Sequence, residues 1–185
     1  NNSGTGNNFE PFSANHWAGI DINLKWAAYS NIQILNSTIT NSGIGDNNGG
    51  GILIKARSTG SYASPAASLS GVILKRLVVT GNGSGTYAAG IRIGESNNSF
   101  TGLDAGPTNV DISFSSIVNN AVHGVRNATA ATTVMAENNW WGCSYGPGTG
   151  GAGCAGTPNG VSGLVDADPW IVLGASASPD SILAL

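Results

Sequence analysis

Carboxylates are the groups in this chain best suited to acid–base or metal chemistry, and the sequence scatters them. Ten acidic residues are spread over 185 positions, and their closest groupings are Asp104 with Asp111 and Asp166 with Asp168. Glycoside hydrolysis needs two carboxylates at a set separation, and a Ca²⁺ site needs several oxygen ligands. Asp166 is better explained as a turn residue that accepts backbone N–H bonds. We therefore predict no catalytic residues.

Cysteine and histidine supply the remaining candidates for metal or nucleophilic chemistry. Neither His16 nor His123 lies in a nucleophile motif, and neither is near a cysteine in sequence. Cys143 and Cys154 bracket a Gly-rich stretch, and such a floppy loop gains most from covalent closure. We expect a disulfide and hence an oxidising, extracellular setting, with two reduced thiols as the alternative. No metal site and no cofactor is expected.

Asparagine adds a candidate modification. Asn-x-Ser/Thr sequons begin at Asn1, Asn36, Asn82, Asn97 and Asn127. A chain rich in Asn, Ser and Thr produces several such matches by chance. If the source glycosylates surface proteins, Asn82 and Asn97, in loop-rich stretches, are the expected acceptors.

Composition narrows the class of protein. Only 9% of the residues are charged, the net charge is -3, and glycine fills 28 positions. No basic patch is present to neutralise phosphates, which disfavours a nucleic-acid partner. No apolar run approaches the roughly 20 residues of a membrane span, so we expect no membrane insertion. The chain starts at Asn1 without Met, so we expect a processed product or an excised fragment.

Short alternating segments recur along the chain where helical periodicity is missing. Residues 31–41, 71–81 and 109–119 superimpose, and a degenerate copy starts at Thr133. Their shared apolar columns are Ile32, Val72 and Val110; Ile34, Leu74 and Ile112; and Ile39, Val79 and Ile117. Repetition of this kind indicates a solenoid, in which each strand buries its apolar face by stacking on the next turn.

A second unit alternates with the first and begins with Gly19, Gly51, Gly90 or Gly124. We expect these glycines at sharp corners that need positive φ, where asparagine is the next-best residue. Asparagine side chains near Asn36 and Asn41 are expected to stack along a turn. Strand alternation sends the isoleucines of the unit inward and leaves an outward column of Asp21, Leu53, Arg92 and Arg126.

The outward column is the best candidate for a contact surface. Arg92 and Arg126 would lie about 4.8 Å apart, and their repulsion calls for a partner such as Asp21, Glu95 or an external anion. The two arginines have three further interpretations: they could be ordinary solvated surface charges, form a subunit contact, or serve an acidic-glycan or catalytic role. Three or more carboxylates converging beside either arginine would favour an enzyme.

These repeats resemble the right-handed parallel β-helix of the pectate-lyase-like superfamily over residues 19–142. The segments 138–143, 146–148 and 161–170 resemble the closing segment of β-helix regions in large bacterial surface and secreted proteins. In such proteins an immunoglobulin-like module commonly follows. The resemblance implies an all-β fold of about four coils.

The resemblance also divides the chain. Residues 1–142 would form the β-helix and 143–170 a disulfide-closed cap carried by Trp140, Trp141 and Trp170. The indole rings are large enough to cover an open solenoid end, with a carbohydrate-stacking platform as the alternative. Residues 171–185 would be a tail, either the start of an immunoglobulin-like module or a donor strand.

We interpret the whole as a non-catalytic structural or adhesive module, a cell-surface protein fragment or a filament subunit. Residues 1–15 offer no cap of equal quality, so a second copy or further domains of a longer chain are the expected partners, with glycans as an alternative. The other readings are a polysaccharide lyase or hydrolase, or a glycan-binding module. The latter predicts exposed Trp17, Trp26, Tyr62 or Tyr87 aligned in a groove.

Overall fold

The protein is an all-β solenoid in a computed structural model that describes residues 17–95, 103–150, 154 and 159–173. Three parallel sheets run along the solenoid, and the chain visits them in turn. Sheet A contains β1 (Ala18–Leu24), β4 (Gly50–Ala56), β7 (Ala89–Ile93), β10 (His123–Asn127) and β12 (Gly160–Ser162). Sheet B contains β2 (Ala28–Leu35), β5 (Ser68–Lys75), β8 (Thr108–Ser113), β11 (Val134–Met135) and β13 (Val165–Asp166). Sheet C contains β3 (Thr38–Thr40), β6 (Val78–Thr80) and β9 (Ser116–Val118).

Coils 1, 2 and 3 are complete, each with one strand in every sheet, and a fourth and a partial fifth follow. This architecture confirms the predicted parallel β-helix of about four coils. In coil 4, Trp140 makes a parallel bridge to Ser116 and so continues sheet C without forming a strand. A 3-10 turn at Gly60–Tyr62 is the helical element among the described residues.

The apolar core confirms the predicted columns residue by residue. Ile32 pairs with Val72 and Val72 with Val110, and the columns of Ile34 and Ile39 follow the same register. On sheet A, Ile52 and Ile54 are paired on both sides by isoleucines and are fully buried. Alternation therefore supplies a continuous aliphatic interior in which each rung covers the one beneath it.

The corner between sheets B and C repeats a left-handed backbone in coils 1 to 4. Asn36, Arg76, Phe114 and Asn138 occupy equivalent positions there, with φ between 51° and 56°. Asparagine tolerates this conformation because its side chain bonds locally, whereas an ordinary side chain pays roughly 1–2 kcal/mol. Arg76 and Phe114 are therefore the strained corners.

Phe114 gives a direct test of that strain. We expect Phe114→Gly to be more stable than Phe114→Ala by about 1 kcal/mol, because both remove the ring and only alanine keeps the left-handed penalty. Urea denaturation of the two variants measures the difference. Gln33, in strand β2, is the matched control, and there Gln33→Gly should be the less stable of the pair. The same order at both positions would contradict the account.

The glycines that open the sheet A strands have another role than the one predicted. Gly19, Gly51, Gly90 and Gly124 do not have positive φ. A Cβ at Gly51 would lie 3.0 Å from the Asn82 amide, and at Gly90 only 2.7 Å from that of Asn120. The expected corner role is therefore wrong for these positions. Glycine is needed because a Cβ would clash both with the neighbouring strand and with a buried asparagine; at Gly51 the nearest atom is the Gly90 carbonyl oxygen, at 2.6 Å.

Those asparagines form a ladder of one residue per coil. Asn82 Nδ2 donates to Asn120 Oδ1 at 2.9 Å, and Asn120 Nδ2 donates to Asn159 Oδ1 at 3.0 Å. All three are at most 4% exposed. The ladder also satisfies backbone groups, because Asn82 Oδ1 accepts the Ser42 N–H and Asn82 Nδ2 donates to the Ile39 carbonyl. Asparagine stacking was expected near Asn36 and Asn41. The ladder lies one position after the Asn41 corner, because Asn82 is the equivalent of Ser42 in the next coil.

The segment predicted as a cap continues the solenoid. β12 pairs with β10 and β13 with β11, so both extend existing sheets. Trp141 is fully buried in the core, and the preceding residue, Trp140, is also buried. Trp170 is partly buried and packs against the core. Cys143 and Cys154 form the predicted disulfide. Residues 174–185 of the predicted tail lie outside the described residues.

Candidate functional site

The outward column of sheet A has the predicted register. Asp21 pairs with Leu53, Leu53 with Arg92, and Arg92 with Arg126. The expected exposure is wrong for the middle of the column, because Leu53 and Arg92 are fully buried. The Arg92 side chain donates from Nη1 to the carbonyl of Asn48, in the loop between β3 and β4. Part of this outer face is therefore interior.

Lys55 lies at the centre of the buried outer face. Its Nζ is 3.1 Å from Asp21 Oδ1 and 3.9 Å from Glu95 Oε2, and its side chain is 0% exposed. Burial lowers the pKa of Lys55, against the opposing effect of Asp21 and Glu95. Asp21 opens the cluster to water, with its side chain 27% exposed.

Glu95 joins the cluster to a second cation. Its Oε2 is 3.7 Å from Arg57 Nη2, and both side chains are almost completely buried. Burial also lowers the pKa of Arg92, to about 10, while Glu95 counteracts the shift and Arg126 adds to it. The charge of Arg126 thus contributes to the lowered pKa of Arg92, and Glu95 and Asp21 are among the anions that oppose that effect.

Arg126 marks the exposed end of the column. It is half-buried, donates from Nη1 to the Tyr87 carbonyl at 3.1 Å, and lies 5.1 Å from the centre of the Tyr87 ring. Burial and Arg126 lower the pKa of His123, which begins the same strand. His16 lies outside the described residues.

The hypothesis of an enzyme requires three or more carboxylates that converge beside Arg92 or Arg126. Asp21, Asp46 and Glu95 all attract the Arg92 guanidinium. Their oxygens are engaged elsewhere: Asp46 accepts the backbone N–H groups of Trp17 and Asn48, and the other two bind Lys55. In the part of the chain that the structure describes, no three His, Cys, Asp or Glu side chains are grouped to hold a metal ion.

A separate site lies at the corner between β1 and β2. Trp26 and Tyr62 meet with ring centres 5.7 Å apart, and Lys25 Nζ lies 5.9 Å from the first ring and 5.0 Å from the second. Arg57 contacts the same Tyr62 ring at 4.7 Å. Trp26 is 55% exposed, and Tyr29 nearby is also exposed and donates its hydroxyl to the Lys25 carbonyl. We call Lys25, Trp26, Tyr29 and Tyr62 the aromatic patch.

The other aromatic candidates lie apart from the patch. Tyr87 is exposed but pairs with Arg126, and Trp17 is half-buried against Gly45. Of the four aromatics that the glycan-binding reading names, the structure therefore brings Trp26 and Tyr62 together.

The two glycosylation candidates have different outcomes. Asn82 is fully buried in the asparagine ladder, where its amide nitrogen is already bonded, so its assignment as an acceptor is wrong. The sequence misleads there because a buried ladder and an exposed loop both favour asparagine. Asn97 lies outside the described residues.

A cavity of about 190 Å³ opens at the corner between β2 and β3. It is lined by Asn36, Ser37, Thr38, Arg76 and Val78. Arg76 Nε donates to Asn36 Oδ1 at 2.6 Å, so this arginine holds the corner together. The cavity brings together no acid–base pair.

Sequence reasoning missed Lys55 and Lys25. Lys55 could have been found from the sequence, because it lies in an otherwise apolar strand. Strand alternation places it on the same outward face as Leu53 and Arg57. Lys25 carried no such signal, because its role depends on how the loop folds over Tyr62.

Neither a protein-family model, nor a curated protein, nor a solved structure matches the chain. The resemblance to the pectate-lyase-like superfamily therefore stays a prediction. Within its described residues, the chain forms no helix long and apolar enough to cross a bilayer.

Proposed function

We propose that the chain is a non-catalytic adhesive module of an extracellular or cell-surface protein, and that the aromatic patch is its binding surface. The disulfide between Cys143 and Cys154 suits an oxidising compartment. The solenoid offers a rigid scaffold, since every strand is held by the coil beside it.

The observation that carries the proposal is an exposed Trp26 ring that lies beside Tyr62 and is held on a strained backbone. Trp26 has φ of 62°, a left-handed conformation that is an outlier for a bulky side chain. Such strain costs of the order of 1–3 kcal/mol and clusters at ligand-binding positions. Here the strained residue presents a large ring to solvent beside Tyr62, and burial of the ring in a ligand would repay that cost.

The chemistry of the patch favours a glycan. The apolar faces of sugar rings can pack flat on Trp26 and Tyr62, and the Lys25 ammonium can pair with an acidic substituent. The low charge of the chain limits non-specific attraction, so contact at the patch would decide which surface is bound.

A panel of neutral and acidic polysaccharides tests the patch by affinity electrophoresis. We expect Trp26→Asn and Tyr62→Ala to weaken binding by about tenfold or more, because burial and pairing of a ring together exceed about 1.4 kcal/mol. Asparagine tolerates the left-handed backbone, so Trp26→Asn should fold normally. The control is Tyr145→Ala, an aromatic 60% exposed in the disulfide-closed loop, which should bind as the wild type does. Failure of the wild type to bind any glycan would contradict the proposal.

A second copy of the chain is the alternative partner, and strand β2 favours it. Among the described residues β2 is the terminal strand of sheet B, and four of its residues in succession, 28–31, are exposed. Exposed strand edges pair readily with other chains. Sedimentation at increasing concentration separates the two proposals: assembly that persists in Trp26→Asn would assign self-association to the edge and not to the patch.

A further inference from the structure

Lys55 carries a buried amine, a nucleophilic group that the proposed function does not use. We propose that Lys55 and Asp21 join to form an intramolecular amide bond, with Glu95 transferring the proton. The bond would link β1 of coil 1 to β4 of coil 2.

Geometry brings the reacting groups together. Lys55 Nζ lies 3.1 Å from Asp21 Oδ1 and 3.4 Å from Oδ2, so the nitrogen lies against the carboxyl group that it would attack. The parallel pairing of β1 with β4 holds both side chains on one face of sheet A. Glu95 follows the neighbouring strand β7, and its Oε2 lies 3.9 Å from the same nitrogen. Such fixed proximity replaces a bimolecular encounter and accelerates reactions between bound groups.

The surroundings of Lys55 favour its uncharged amine. Lys55 is fully buried beside Leu53, and burial lowers the pKa of its ammonium group. Transfer of a proton within an ion pair becomes easier where water is excluded, because both charges lose their solvation. Arg57 holds Glu95 as a carboxylate 3.9 Å from the Lys55 nitrogen, where it can act as the base once the amine has attacked.

The step balances without an oxidant, a cofactor or a second substrate. The Lys55 ammonium first gives one proton to the Asp21 carboxylate, to which it is paired. The resulting neutral amine attacks the carboxyl carbon of the protonated Asp21 to give a tetrahedral intermediate. Glu95 takes a proton from nitrogen and returns it to the departing hydroxyl. The C–OH bond breaks, one water leaves through the exposed side of Asp21, and a secondary amide remains. Glu95 ends in the state in which it began.

Intact-mass spectrometry of the purified, reduced chain tests the proposal. We expect the wild type to weigh less than its sequence by one water, about 18 Da, and a digest to contain residues 21 and 55 in one linked peptide. Asp21→Ala and Glu95→Gln should have their full sequence mass. Lys25→Arg is the control lysine variant and should keep the loss, because Lys25 lies in the aromatic patch.

The wild type decides the matter even if a variant fails to fold. Folded wild-type chain, verified by circular dichroism, with its full sequence mass after prolonged incubation would overturn the proposal. A loss of about 17 Da linked to Asn23 would also overturn it, because ammonia would then be the leaving group and the partner would be different. Glycan binding is measured separately, so either proposal can fail without the other.

Discussion

Replacement of Asn120 by alanine is expected to lower the free energy of unfolding by about 2–5 kcal/mol. Asn120 Oδ1 accepts from both the backbone and the side-chain nitrogen of Asn82, and its Nδ2 donates to the Val79 carbonyl and to Asn159 Oδ1. The side chain therefore serves the coils on both sides of its own. Its removal leaves several polar groups buried without these bonds, which is the costly form of losing a hydrogen bond.

Urea denaturation checks this expectation. The matched control is Asn47→Ala, an exposed asparagine in the loop before β4, which should change stability by less than about 0.5 kcal/mol. Asn120→Asp keeps the shape and the acceptor but removes the donors and buries a charge, so it should destabilise the protein in the same range. A loss below about 1 kcal/mol in Asn120→Ala would mean that the ladder only fills space.

The residues that fill the interior of this fold are predictable from sequence, because each strand packs on the equivalent strand of the next coil. Each strand of a solenoid stacks on its own equivalent, so a column such as Ile22, Ile54 and Ile93 reports register directly. The left-handed corners could be predicted at asparagines such as Asn36, because asparagine adopts positive φ more readily than other side chains. At Arg76 and Phe114 the equivalent corner carries ordinary side chains, and the stacking of coils overrides the local preference.

The outer face of sheet A is less predictable because long loops cover it. Strand alternation points Arg92 away from the core, but the loop that contains Asn48 covers the side chain and buries it. The same covering turns Lys55 from a surface lysine into the centre of a buried charge cluster. The role of Gly90 was hidden similarly, since its partner Asn120 follows a different strand. Contacts between remote loops and strands leave no periodic signal.

Trp141→Ala is expected to be the most destabilising single substitution on the C-terminal side, at about 3–5 kcal/mol. Trp141 is fully buried in the core cluster, where coil 4 meets β12. Its ring lies so close to Gly124 that a Cβ there would come within 2.9 Å of it. The neighbouring glycine and strands cannot collapse into the space, so a cavity would persist between two coils.

Trp141→Phe separates the loss of packing from the loss of the indole N–H. Among the described residues this N–H is buried without a hydrogen-bond partner, so its removal relieves a desolvation cost while phenylalanine keeps most of the ring. We therefore expect Trp141→Phe to lose less than half as much stability as Trp141→Ala. Trp26→Ala is the exposed control and should cost less than about 1 kcal/mol, because its ring gives up little buried area and the strained backbone remains. Thermal and urea denaturation followed by circular dichroism measure all three. Equal losses in Trp141→Phe and Trp141→Ala would show that the N–H has a partner and that cavity formation is not the main cost.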